Sequence, residues 1–178
     1  MRTTYKVIDN KNIFFITSTI VNWIPVFKIK DNIDSLINAF TYSQRNKKLK
    51  IYSYVIMPEH FHMVCESDNM VKVFQSIKSY SAKRIIETYK DLEDIQTIEQ
   101  FQVSKKEYKA TSKYQIWQEG FHPKAILSEE MFSQKVNYIH FNPVKRGLVK
   151  EMTDYKYSSA GDFFLKVKGV IDLDWISS

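Results

Sequence analysis

The sequence predicts an α+β protein with a ferredoxin-like fold: an antiparallel sheet with helices mainly on one face, formed as a single domain over residues 1–178. Three observations predict it. Segments with the two-residue period of strands and the 3.6-residue period of helices alternate as strand, helix, strand, strand, helix, strand, which is the ferredoxin-like order. A chain of 178 residues with 44% hydrophobic content can bury one sizeable core. No internal repeat, low-complexity tract or composition shift marks a second domain.

Each element has its own signal. Residues 12–23, NIFFITSTIVNW, read as a first strand, rich in β-branched and aromatic side chains. Residues 32–50 form an amphipathic helix with a basic end. KIYSYVIM and HFHMVCES follow as two strands joined at Pro58 and Glu59. From about 69 to 90, Val73, Phe74, Ile77, Ser81, Ile85 and Tyr89 are spaced for one buried helical face. Residues 92–114 show no clean period and pass from acidic to basic, the pattern of an exposed connector or mobile loop. IWQEGF is a candidate short last strand. Ser128 followed by Glu129 and Glu130 then caps a helix running to about 146, with Met131, Phe132, Val136, Ile139 and His140 at helical spacing and Gly147 after its end. Pro143 predicts an end or kink near Asn142, because it removes the donor to the Ile139 carbonyl.

Two clusters carry chemistry. His60 and His62 flank Phe61 on a strand, so both imidazoles point one way and Phe61 the other. That geometry clamps one metal ion or one phosphate. About 80 residues later, Tyr138 and Asn142 lie one turn apart on a helix face.

Taken in order, MPEHFHMV, a helix with Lys78 and Tyr80 in FQSIKSYSAKRI, IWQEGFHPKAI, YIHFNPVKRGLV and the run Tyr157, Ser158, Ser159 resemble REP-associated tyrosine transposases. These belong to the wider single-tyrosine (HUH, IS200-like) transposase family, named for its His-hydrophobic-His signature. The resemblance runs from about residue 10 to about residue 165, and YIHFNPVKRGLV is its most specific part. It implies that the tyrosine helix delivers its hydroxyl beside the histidine pair. Carried over by position, His60 and His62 become metal ligands, Tyr138 the nucleophile and Asn142 the third ligand. Related enzymes often carry glutamine one turn after the tyrosine; here asparagine is one methylene shorter.

The chemistry so implied is metal-dependent cleavage and transfer of single-stranded DNA through a 5′-phosphotyrosine, at hairpin-associated sites. A tyrosine hydroxyl, with an ordinary pKa of about 10, is a weak nucleophile at neutral pH, and a divalent cation supplies the missing electrophilic assistance. Imidazoles alone favour zinc, oxygen ligands and phosphate favour magnesium or manganese, and the resemblance selects Mg or Mn.

Net charge +6 and a pI near 9.2 suit a polyanionic partner, single-stranded or hairpin DNA. Lys78, Lys83, Arg84, Lys145 and Arg146 are candidate phosphate contacts, or else solvated helix faces. Lys105, Lys106, Lys109 and Lys113 alternate with Tyr108 and Tyr114, a pattern for single-stranded nucleic acid by charge and stacking. His140 sits about 200° round the helix from Tyr138 and is assigned to packing or surface. His122 precedes Pro123 as a turn residue, and the role of Glu59 stays open. Cys65 is the single cysteine and forms no internal disulfide; with no signal-peptide core and no membrane-length apolar run, a cytoplasmic location is expected. The family includes monomers and homodimers. Two other functions use the same residues: a domesticated, non-cleaving hairpin DNA or RNA binder, and a zinc hydrolase of small substrates. Intact His60, His62, Tyr138 and Asn142 weigh against the first, and the lack of further His, Cys or paired carboxylates nearby against the second.

Overall fold

The computed structural model describes residues 13–105 and 112–175. Among these residues four strands, β1 (Ile13–Thr19), β2 (Lys50–Ile56), β3 (His60–Glu66) and β4 (Lys124–Ala125), form one antiparallel sheet in the order β2-β3-β1-β4. Among the described residues five α-helices accompany it: α1 (Lys30–Lys47), α2 (Met70–Asp91), α3 (Ile95–Val103), α4 (Glu129–Lys145) and α5 (Ala160–Phe164). The ferredoxin-like order expected from the sequence is the one found.

Alternation along β3 sorts its side chains into two layers. Phe61, Met63 and Cys65 enter the core beneath α1 and α2, where Phe61 meets the rings of Phe40 at 5.1 Å and Trp117 at 5.6 Å. Val64 enters a second, smaller core with Phe15, Tyr52, Val55, Phe132, Val136 and Ile139, beneath α4. His60 and His62 share the face of Val64. The tyrosine helix therefore covers the sheet face that α1 and α2 leave open.

Local chemistry explains the helix boundaries. Asn69, Asp94 and Ser128 each accept a hydrogen bond from a backbone N–H in the first turn of the helix that follows. All six positions predicted for the buried face of α2 are buried. Helix α4 runs through Pro143 to Lys145 without ending at Asn142. The proline falls in the last turn, where the Arg146 N–H still reaches the Asn142 carbonyl at 3.1 Å and Gly147, at φ 68°, closes the end.

Two expectations fail. Residues 95–103 of the expected connector are helical, because Asp94 caps them and Ile98 and Phe101 pack into the large core; residues 106–111, with Lys106, Tyr108 and Lys109, lie outside the described residues. The last strand is not IWQEGF. Trp117 makes only an isolated bridge to Ile20, Gly120 turns the chain at φ 87°, and β4 forms further on, opposite Phe14 and Phe15. The indole of Trp117 is committed to the core, with its N–H donating to Ser81.

The Tyr157, Ser158, Ser159 run closes the open edge of β2. Ile56 donates to the Tyr157 carbonyl, Ser159 donates to the Tyr54 carbonyl, and further along Asp174 donates to the Ile51 carbonyl. An edge so occupied cannot pair with another chain. Ser159 Oγ also lies 2.8 Å from His140 Nε2, which fastens α4 to this edge and confirms His140 as a packing residue.

Candidate active site

Antiparallel pairing of β1 with β3 sets Thr17 opposite His62 and Thr19 opposite His60. Opposed residues share a face, so both threonines join the histidines. Thr17 Oγ1 lies 2.8 Å from His62 Nδ1, and Glu59 Oε1 lies 3.1 Å from His60 Nδ1. The Nδ1 of each ring is thus engaged, and Nε2 is the nitrogen left to each. The two ring centres stand 4.7 Å apart.

Helix α4 brings Tyr138 and Asn142 over this pair. The Tyr138 ring is 5.2 Å from that of His62, and Phe15 packs against both, at 5.9 Å from Tyr138 and stacked on His62 at 5.6 Å. Tyr138 remains 45% exposed although its helix is packed. Thr17, Thr19, Trp23, His60, His62, Tyr138, Asn142, Lys145 and Arg146 line one cleft of about 200 Å³. Six residues named from the sequence therefore meet in one place.

Burial sets the protonation of this cleft. His60 and His62 are each 5% exposed. Loss of hydration, then the neighbouring His60, pushes His62 down to about 3; His60 is also lowered by burial, against the opposing pull of Glu59. Both rings are neutral at pH 7, the form that ligates a cation. Among the described residues Asn142 makes no side-chain hydrogen bond, and no group of three His, Cys, Asp or Glu side chains, in this cleft or outside it, is placed to hold a metal ion, so any ion here relies on the amide as third ligand. Two neutral imidazoles whose Nδ1 atoms are held, with an amide oxygen one turn from the tyrosine, fit a divalent cation.

Glu59 is the residue that sequence reasoning left open. It precedes the first residue of β3, so strand alternation does not yet orient it, and it turns back to contact the ring of its neighbour. It is 4% exposed, and the same Oε1 that meets His60 accepts from Arg146 Nη1 at 3.0 Å. Arg146 follows the last residue of α4, so this pair joins the histidine strand to the tyrosine helix. Thr17 was equally invisible, because its place depends on strand register.

The candidate phosphate contacts divide. Lys145 and Arg146 border the cleft. Lys78, Lys83 and Arg84 ride on α2, in the layer behind the sheet. There Lys78 Nζ lies 5.7 Å from the ring centres of both Trp117 and Phe121, Lys83 flanks a groove with Lys90 and Tyr114, and Arg84 pairs with Glu87 at 2.7 Å.

A ferredoxin-like sheet carrying a histidine pair, with a tyrosine helix laid across it, defines a class that the comparisons identify. Residues 24–112 match the model of the IS200-like transposases, and the chain belongs to that family. Two relatives extend the match: a REP-associated tyrosine transposase of Escherichia coli (strain K12), 26% identical over 79% of this chain and 70% of its own length, and a putative REP-associated tyrosine transposase of Haemophilus influenzae, 22% identical over 74% and 70%. A solved REP-associated tyrosine transposase bound to a REP hairpin has the same fold, with a TM-score of 0.63 at 22% identity, covering 99% of this chain and 93% of that one. Among the described residues no helix is long and apolar enough to cross a membrane.

Proposed function

We propose that this transposase is a metal-dependent single-strand DNA endonuclease and strand transferase that works through a 5′-phosphotyrosine at Tyr138, at sites associated with hairpins. The observation that carries the proposal is the 5.2 Å approach of the Tyr138 ring to His62 in a cleft shared with His60 and Asn142. The hairpin substrate is proposed from the structural relative, which was solved with one.

Tyr138 is half exposed, so a phosphodiester can reach its hydroxyl without unfolding the helix. Its oxygen attacks phosphorus; the new O–P bond forms as the bond to the 3′ oxygen breaks. The tyrosine gives up a proton and the departing oxygen takes one, so the step ends with a 5′-phosphotyrosine and a 3′-hydroxyl. Attack by a later 3′-hydroxyl reverses it and joins strands. His60, His62 and Asn142 would hold a divalent ion, Mg or Mn, which polarises a non-bridging phosphate oxygen when bound. Glu59 and Thr17 orient the two imidazoles. Lys145 attracts the strand to the cleft.

The test is incubation with single-stranded hairpin DNA and Mn, followed by a denaturing gel. A covalent protein–DNA adduct is expected from the natural chain and none from Tyr138→Phe, which keeps the ring contacts to Phe15 and His62 and loses only the hydroxyl. Adduct from Tyr138→Phe would move the nucleophile to another tyrosine. Hairpin binding with no adduct under any metal would leave a non-cleaving binder.

A further inference from the structure

Trp23 stands at the mouth of the cleft on a backbone that its neighbours hold in an unusual conformation. It is 56% exposed, and it follows Asn22 in the left-handed region, with φ of 56° and 53°. A bulky side chain rarely adopts this backbone, which favours glycine or asparagine. Strain of this kind persists only where surrounding contacts enforce it. Here they do: Ile20 donates to the Glu59 carbonyl at 2.8 Å, Val21 to the Ile116 carbonyl at 2.8 Å, Trp23 to the Ile20 carbonyl at 3.2 Å, and Asn22 Nδ2 to Ser104 Oγ at 2.9 Å. The loop is pinned on both sides, and the indole it presents meets the His60 ring at 5.8 Å while more than half of its surface stays open.

A glycine would fit this backbone without strain, and what tryptophan adds is a ring that is more than half exposed. The cleft it borders is also lined by Lys145, by Arg146, which pairs with Glu59, and by the candidate nucleophile Tyr138. A phosphate seated beside Tyr138 brings a base on either side of it to the rim. An aromatic ring beside a cationic groove is the arrangement that holds unpaired nucleotides, since every base offers a flat face.

We infer that Trp23 is a stacking platform for one unpaired nucleobase next to the phosphate held at Tyr138. The inference rests on the single-strand nuclease reading, and it adds a base-binding subsite to it. Stacking recognises a flat face and not a hydrogen-bonding edge, so this subsite demands that a base be present and unpaired without dictating which.

The experiment measures binding of hairpin oligonucleotides bearing a single-stranded flank, with one abasic residue walked along the flank. It uses the Tyr138→Phe chain so that no strand is consumed, alone and combined with Trp23→Ala or Trp23→Phe, with thermal unfolding of each variant. Removing the base at one position should weaken binding about 5- to 150-fold. Trp23→Ala should lose a similar factor on the intact strand and lose nothing more at that abasic position, while Trp23→Phe keeps most of the affinity. Unfolding midpoints should not fall, because the substituted side chain is exposed. Unchanged affinity in Trp23→Ala, or losses that multiply with the abasic losses at every position, overturns the subsite. The covalent-adduct gel with the natural chain is read separately. Adduct formation without a Trp23 effect leaves the nuclease and removes the platform; a Trp23-dependent abasic position without any adduct leaves the platform and removes the nuclease.

Discussion

Glu59 Oε1 sits 3.1 Å from His60 Nδ1 and 3.0 Å from Arg146 Nη1, so one buried carboxylate oxygen joins the histidine strand to the end of the tyrosine helix. A carboxylate on Nδ1 fixes the ring tautomer that leaves Nε2 to a metal, and loss of such a partner costs about 10- to 100-fold in metal affinity. Glu59→Ala should weaken Mn binding by that order in titration calorimetry. Glu59→Gln keeps an oxygen acceptor and should lose less. Equal affinity in the alanine variant and the natural chain would remove Glu59 from the site.

Either histidine replaced by alanine should leave the chain folded and its hairpin affinity little changed, because both rings lie below the surface that a strand would touch. Divalent-ion binding should fall and adduct formation nearly vanish. Mn-independent cleavage by the double alanine variant would contradict a metal role for the pair.

His140 makes the fold sensitive to acid. Burial lowers it from its ordinary 6.5 to about 4, and it faces Ser53, Ser159 and the rings of Phe163 and Phe164, with no charged partner among the described residues. The unfolded chain therefore binds the proton first. The stability held by neutral His140 is complete above pH 6.5 and is lost as pH falls from 6.5 toward 4, at up to about 1.4 kcal/mol per pH unit. His62, lowered to about 3, and His60, also lowered by burial, add to the loss over the same window, and His62 extends it to lower pH. Urea unfolding of the metal-free chain between pH 7 and pH 4.5 should show the summed slope of these histidines, and His140→Gln should reduce it by up to about 1.4 kcal/mol per pH unit. An unchanged slope would assign the acid loss elsewhere.

Salt dependence reports how DNA lies on the protein. Lys145 borders the cleft and is expected to meet a phosphate, so Lys145→Ala should lower the slope of log affinity against log salt by about one. Lys168, paired with Asp172 at 2.7 Å on the C-terminal segment, should matter less. Equal effects at both positions would mean binding through diffuse charge. The same measurement on Lys83→Ala asks whether the strand also reaches the α2 layer.

Much of this protein is determined by local sequence. Alternation through residues 60–66 puts His60 and His62 on one side and Phe61 on the other whatever the strand packs against, and helical spacing puts Tyr138 one turn before Asn142 once Ser128 has capped α4. These relations depend only on neighbours in the chain. Which sheet face the histidines occupy does not, since either layer could have received the aliphatic side of β3; the packing of α4 on Val64 and Phe15 decided it. Strand register chose Thr17 as the partner of His62. The start of β3 at His60 freed Glu59 to turn back toward the ring and toward Arg146, 87 positions later in sequence, and the pinned loop before α1 set Trp23 over the cleft. The same packing carried Lys78, Lys83 and Arg84 away to the other layer, because the apolar stripe of α2 must face the core beneath it. Side-chain direction within an element follows from backbone period, whereas contacts between elements follow from which buried surfaces meet, and the catalytic geometry proposed for this chain is built from contacts of the second kind.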